Sequence, residues 1–123
     1  MKYIAAIVFE DEIIRELLKH YFQKNGFEVQ TFESGLDLLN HIKTERVSIV
    51  LTDLVLPDLT GIDLYDRLRD PGLSESVPVF FLSARNISSE LSRRMKNDGL
   101  IQYFQKPIDP VEVITHAWRV IRK

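Results

Sequence analysis

The 123-residue chain contains no cysteine. That excludes a disulfide framework and any thiolate-held metal, and it fits a reducing cytosol. Charge of one sign is missing as well. Sixteen basic residues stand against 18 acidic ones, for a formal net charge of -2, which leaves no electrostatic footprint for a nucleic acid. Long hydrophobic runs are absent too. The apolar stretch at residues 3–9 meets three acids, Glu10, Asp11 and Glu12, after seven residues, and is too short for a signal peptide or a membrane span. Histidine is scarce, and His20, His41 and His116 fall on separate predicted helices, so no imidazole cluster forms. No internal repeat, linker or low-complexity tract interrupts the chain. What remains is 45% apolar and 28% charged, the composition of one soluble globular domain over residues 1–123. A chain of that size buries roughly two-thirds of its unfolded surface.

Apolar runs and amphipathic stretches alternate along it. Residues 3–9 read as a first strand. Ile13, Ile14, Leu17, Leu18 and Tyr21 then recur at helical spacing up to Gly26, a natural helix stop. Residues 27–32 suit a second strand, with Val29 and Thr31. Ser34 with Asp37 three residues on resembles a helix cap, followed by Leu38, Leu39 and Ile42 as the buried side. Val47 to Leu51 has the length and β-branched content of a strand buried on both faces. It ends in a carboxylate, Asp53, and Pro57 and Gly61 mark the loop that follows.

A helix over residues 61–69 would face inward with Ile62, Tyr65 and Leu68, ahead of a turn-rich loop at residues 70–76. Residues 77–82 make a fourth strand and 100–104 a fifth. Between them Ser88 and Ser89 can cap a helix with a thin apolar stripe of Leu91 and Met95, ending near Gly99. Asp109, Pro110 and Glu112 are a strong helix start, and Ile114, Ala117, Trp118 and Ile121 complete the last helix, with Trp118 either in the core or facing a partner.

Five strands alternating with five helices imply an α/β fold, a (βα)5 doubly wound five-stranded parallel sheet. The flavodoxin-like order 2-1-3-4-5 sets strands one and three side by side at the switch point. Every unusual polar residue then lies on one edge: Glu10 and Asp11, Asp53, Ser83 and Lys106. Three carboxylates there repel one another unless a cation shares the site. Hard oxygen ligands without His or Cys select Mg2+, which keeps several waters and leaves room for a phosphate. Asp53, the deepest, suits a carboxylate nucleophile that forms an acyl phosphate, with the Lys106 ammonium and Ser83 hydroxyl neutralising charge. Each residue also has a plainer reading. Glu10, Asp11 and Glu12 suit the acidic first turn of a helix, Asp53 a turn-capping acid, Lys106 a surface lysine and Tyr103 a core tyrosine.

Four motifs stand in order: Phe9-Glu10-Asp11-Glu12, Thr52-Asp53 with Pro57 and Gly61, Leu82-Ser83-Ala84, and Tyr103-Phe104-Gln105-Lys106-Pro107. Thirty residues separate Asp53 from Ser83 and 23 separate Ser83 from Lys106, each the length of one strand-and-helix unit. On these motifs the whole chain resembles a receiver domain of two-component response regulators, of the chemotaxis-receiver type.

The resemblance implies roles. Asp53 would accept a phosphoryl group from a histidine kinase or phosphotransfer protein. Asp11, Asp53 and the Val55 backbone carbonyl would bind Mg2+ directly, with Glu10 acting through water. Ser83 and Tyr103 would form a switch pair, Lys106 would pair with the phosphoryl oxygens, and the Lys106–Pro107 bond would be cis. Glu10 in place of the usual aspartate, Leu100 after Gly99 and Ile108 after Lys-Pro depart from the family pattern. Val55 and Arg85 occupy positions that tune water access to the acyl phosphate. The implied protein is a cytoplasmic signalling switch that assists its own phosphoryl transfer and dephosphorylation rather than an enzyme. A downstream target, or an output domain of a longer regulator, would read the face of the fourth helix, fifth strand and fifth helix.

Three rivals are weaker. A phosphatase of the haloacid dehalogenase type needs a general acid where Val55 stands. An FMN module wants a phosphate cradle where Glu-Asp-Glu would repel phosphate. A degenerate receiver acting as a phosphorylation-independent docking module has no need of Asp53, Ser83 and Lys106 together.

Overall fold

The computed structural model describes residues 2–70, 73–74 and 76–122. Along the chain run β1 (Tyr3–Val8), α1 (Glu12–Lys24), β2 (Phe27–Phe32), α2 (Gly35–Ile42), β3 (Ile49–Thr52), α3 (Gly61–Leu68), β4 (Val79–Ser83), α4 (Ser89–Asn97), β5 (Ile101–Gln105) and α5 (Pro110–Ile121). The five strands form one parallel sheet in the order β2-β1-β3-β4-β5, as expected.

Alternate residues of each strand feed two cores, one on each face of the sheet. Ala5, Ile7, Ile49, Leu51, Phe80 and Leu82 pack with Leu18 and Phe22 of α1 and with Val113, Ile114 and Ala117 of α5. Their neighbours Ala6, Val8, Val50, Val79 and Phe81 pack with Leu38 of α2, Leu64 and Leu68 of α3, and Leu91 of α4. With helices on both faces, the central strands lose the polar–apolar alternation and read as continuous apolar runs. All of β3 is buried.

The helices begin where a short polar side chain accepts a first-turn N–H. Asp11, Ser34, Thr60, Ser88 and Asp109 do this for α1 to α5 in turn. Helix α1 stops at Asn25 and Gly26, and Gly26 takes the left-handed φ of 93° that a side chain would resist.

Some expectations shift. Strands β4 and β5 start at Val79 and Ile101 rather than at residues 77 and 100; Pro78, just ahead of β4, has no N–H to donate and serves only as an acceptor, taking the Val50 N–H at 2.9 Å. Ile13 and Leu17 are apolar at helical spacing yet 81% and 41% exposed, because the inward face of α1 is carried by Leu18 and Phe22. On α3, Leu64 is fully buried and Ile62 only partly. Trp118 turns toward the core, tilted against Phe27 at 4.4 Å between ring centres and edge-on to Tyr3 at 5.3 Å. Of the expected turn at residues 70–76, Pro71, Gly72 and Glu75 lie outside the described residues.

Candidate functional site

Parallel strands bring all their C-terminal ends to one edge of the sheet, and the polar residues singled out from the sequence lie at those ends or within three residues of them. Asp53 comes straight after β3, and its N–H reaches back to the Val8 carbonyl at the end of β1 (3.4 Å). The buried Thr52 hydroxyl donates to the Asp53 carbonyl at 3.0 Å, which fixes the backbone at this point. The carboxylate is held at both oxygens. Oδ1 accepts the Leu54 N–H at 2.7 Å, and Oδ2 faces Lys106 Nζ at 3.5 Å. Both side chains keep 23% of their surface exposed. The ion pair is therefore long and wet, of a kind worth about 1 kcal/mol or less. Such a lysine exchanges partners readily.

Lys106 is anchored by its backbone, whose N–H donates to the Ser83 carbonyl at 2.8 Å across β4 and β5. The Lys106–Pro107 bond is cis. Ser83 is 3% exposed, and its Oγ accepts the Arg85 N–H at 3.2 Å. Tyr103 pairs with Phe81 in the β4–β5 register and packs on the core beneath α4. Among the described residues its buried hydroxyl has no hydrogen-bond partner, which is costly where it stands.

A match to the response regulator receiver domain covers residues 5–117. The chain belongs to this family. It is 33% identical over 116 residues to the transcriptional regulatory protein CseB of Streptomyces coelicolor, covering 94% of this chain and 48% of that protein. It is 31% identical over 118 residues to the transcriptional regulatory protein CreB of Escherichia coli, covering 95% and 50%. The receiver chain thus spans about half the length of these relatives. Among solved structures, the CheY-like receiver domain protein of Methanospirillum hungatei superposes with a TM-score of 0.88 at 22% identity, covering 99% and 95% of the two chains. Chemotaxis response regulator CheY4 of Vibrio cholerae gives 0.84 at 23%, covering 98% and 99%. These two carry the fold.

The acidic side of this receiver site is not a preformed cage. Among the described residues, no three His, Asp or Glu side chains stand close enough together to hold a metal ion by themselves. Asp11 is engaged as the cap of α1, with Oδ1 accepting the N–H groups of Ile13 (2.9 Å) and Ile14 (3.3 Å). The plain helix-start reading of Asp11 is therefore realised, but on one oxygen only. Glu10 is exposed. The loop after β3 doubles back through a bridge of Val55 to Thr60, whose bonds run from Leu56 N–H to Leu59 and from Gly61 N–H to Leu54. The Val55 carbonyl is not consumed by that bridge. Asp11 Oδ2, the Asp53 carboxylate and the Val55 carbonyl are hard oxygens that fit an ion which keeps most of its own waters.

Several contributors were not anticipated. Arg15 reaches back from α1 to donate to the carbonyls of Phe9 (2.7 Å) and Glu10 (3.2 Å), bracing the acidic loop. Gly61, read from the sequence as a loop and motif residue, lets α3 start against the site: a Cβ there would lie 2.5 Å from the Asp53 carbonyl oxygen. Asp58 binds the start of α2, its Oδ1 accepting from Gly35 and its Oδ2 from Leu36. Burial works against its charge, but the N–H groups of Leu36 and Gly35 outweigh it, with help from neighbouring backbone donors, and hold the carboxyl below the usual range. A larger network ties α3 to the turn before β5. Asp98 Oδ2 accepts from the Tyr65 hydroxyl and from Arg69 Nε (2.8 Å), while Arg69 also donates to the carbonyls of Ser74 and Val77. Burial, then the bond to Asp98, pushes the Tyr65 hydroxyl up to about 12. Burial also opposes the Asp98 charge, but the Tyr65, Leu100 and Arg69 donors overcome it and lower that carboxyl. Asp98 lies 33 residues from Tyr65 and 29 from Arg69, so local pattern shows the inward face of Tyr65 but not this link.

Proposed function

We propose that this receiver is a Mg2+-dependent phosphoryl acceptor, with Asp53 taking the phosphoryl group from a phosphohistidine of a kinase or phosphotransfer protein. The supporting observation is the Asp53 carboxylate itself: at the end of a buried strand, part-exposed, with one oxygen on a backbone N–H and the other on a loosely held lysine. A carboxylate oxygen attacks phosphorus as the P–N bond breaks, its electron pair going to the imidazole. Lys106, already facing the carboxylate, follows the charge onto the phosphoryl oxygens. Asp11, Asp53 and the Val55 carbonyl would hold Mg2+, with Glu10 acting through water. When bound, the ion supplies the remaining charge neutralisation.

The switch follows from two buried hydroxyls. Among the described residues Ser83 Oγ is bonded only to the Arg85 N–H, and a phosphoryl group on Asp53 is the better partner for it. Its movement, with the β4–α4 loop, opens space toward Tyr103, whose hydroxyl has no bond to lose. The face of α4, β5 and α5 then changes shape for a target protein or an output domain of a longer regulator. On this reading residues 1–123 are a cytoplasmic switch, not an enzyme with a substrate of its own. A docking module indifferent to phosphorylation would not need Lys106 against Asp53.

Beryllium fluoride with Mg2+ is the direct test. In wild type it should shift the Tyr103 ring resonances and the amides of Ser83 to Ile87. Asp53→Asn, or removal of Mg2+, should leave them unmoved. An identical response from Asp53→Asn would sink the proposal.

A further inference from the structure

The segment between β3 and α3 is a small hairpin. Leu56 N–H bonds to the Leu59 carbonyl at 3.1 Å, and Gly61 N–H bonds to the Leu54 carbonyl at 2.7 Å, with Val55 opposite Thr60. Leu56, Pro57, Asp58 and Leu59 form its tip, with proline at the second turn position, where its fixed φ fits. Those two hydrogen bonds tie the tip to its base, where Val55 lies two residues after Asp53.

The tip is fastened to α2. Asp58 Oδ1 accepts the Gly35 N–H at 3.0 Å, and Oδ2 accepts the Leu36 N–H at 2.9 Å. One carboxylate thereby satisfies two of the orphan donors at the positive end of the helix. Leu59 seats beside it so closely that a Cβ on Gly35 would fall 2.8 Å from Leu59 Cδ1. Helix α2 has its own cap for the next donor, since Ser34 Oγ accepts the Asp37 N–H at 3.2 Å. What Asp58 adds is the link between hairpin and helix.

We infer that Asp58 is a positioning residue for the cation site, holding the hairpin so that the Val55 carbonyl and the Asp53 carboxylate face one ion. The inference rests on the Mg2+-dependent reading above. It requires no contact between Asp58 and the ion. The link runs from α2 through Asp58 and the two hairpin hydrogen bonds to Val55.

The test is a Mg2+ titration of the full chain, followed by the Leu54 and Val55 amide resonances, for wild type, Asp58→Asn, Asp58→Ala and Ser34→Ala. Asp58→Asn keeps one acceptor and should weaken Mg2+ severalfold. Asp58→Ala should weaken it about tenfold, the lower end of what losing a partner behind a metal ligand does. Ser34→Ala removes a cap of the same helix without touching the hairpin. It should lower the melting temperature and leave the Mg2+ affinity within about twofold. Equal affinity in Asp58→Ala and wild type would overturn the inference while leaving the phosphoryl-acceptor reading intact. A loss in Ser34→Ala as large as that in Asp58→Ala would also overturn it, since helix stability alone would then be the cause. If wild type itself showed no Mg2+ response, both readings would fall together.

Discussion

Gly61 leaves no room for a side chain beside Asp53, and Gly61→Ala measures how tightly that contact is set. The added methyl would stand 2.5 Å from the Asp53 carbonyl oxygen, 3.0 Å from Leu54 Cα and 3.1 Å from Phe81 Cε1. Two of these neighbours are backbone and the third is a ring in the fully buried core, so none yields by a simple side-chain rotation. Overpacking of this kind costs about 1–3 kcal/mol. The Gly61 N–H bond to Leu54, at 2.7 Å, also lengthens when the chains part, with about 1 kcal/mol at stake. Against this stands the helix preference of alanine over glycine, at most about 1 kcal/mol and less at the first residue of a helix. The balance is a loss of about 2 kcal/mol, or a fall of about 5–10 °C in melting temperature for a domain of this size. Thermal denaturation by circular dichroism gives the number. Because the displaced atom belongs to Asp53, phosphorylation by acetyl phosphate should slow even at temperatures where the variant is fully folded. A variant that melts at or above wild type would refute the packing argument, and one that melts low but accepts phosphate at the wild-type rate would separate the contact from the site.

Two further predictions concern groups away from Asp53. The lowered Asp98 carboxyl stabilises the fold above its unfolded pKa of about 4, and that contribution fades as pH falls through its still lower folded value. Asp98→Asn should therefore cost roughly 2–3 kcal/mol near neutral pH, because Arg69 and Tyr65 lose a charged partner. The gap between variant and wild type should close in acid; urea denaturation at both pH values checks this, and a gap unchanged at low pH would contradict it. Tyr103→Phe removes a buried hydroxyl that has no partner, so the stability should hold or rise by up to about 1 kcal/mol. A loss larger than that, in the same denaturation experiment, would mean that the hydroxyl is satisfied after all.

Much of this was legible in the chain because its cues are local. An apolar run ending in a lone acid located Asp53, and Asp109-Pro110 marked the start of α5, where Asp109 caps as expected. The five-fold alternation sufficed for strand order, because parallel strands with right-handed crossovers leave few arrangements. Local pattern failed where a residue serves a distant partner. Asp58 bonds α2 across 22 and 23 residues, and Tyr65 reaches Asp98 across 33. Helical spacing also admits more apolar positions than a face can bury: Ile13 met the pattern and lies 81% exposed, while Phe22, on the same helix, fills the core. Asp11 shows how the helix-start reading leaves room for the other, since one of its oxygens caps α1 and the second has no hydrogen bond among the described residues. The first-turn reading of the acids is met at Asp11, which helix α1 draws onto its N–H groups.

The central claim, that Asp53 accepts the phosphoryl group, is tested most directly by locating the acyl phosphate. The chain is incubated with acetyl phosphate and Mg2+, reduced with borohydride, which converts an aspartyl phosphate to homoserine, and mapped by peptide mass spectrometry. Homoserine should appear at position 53 alone, and nowhere when Mg2+ is chelated. Homoserine at Asp11 or any other carboxylate, or none anywhere in a folded sample, would contradict it.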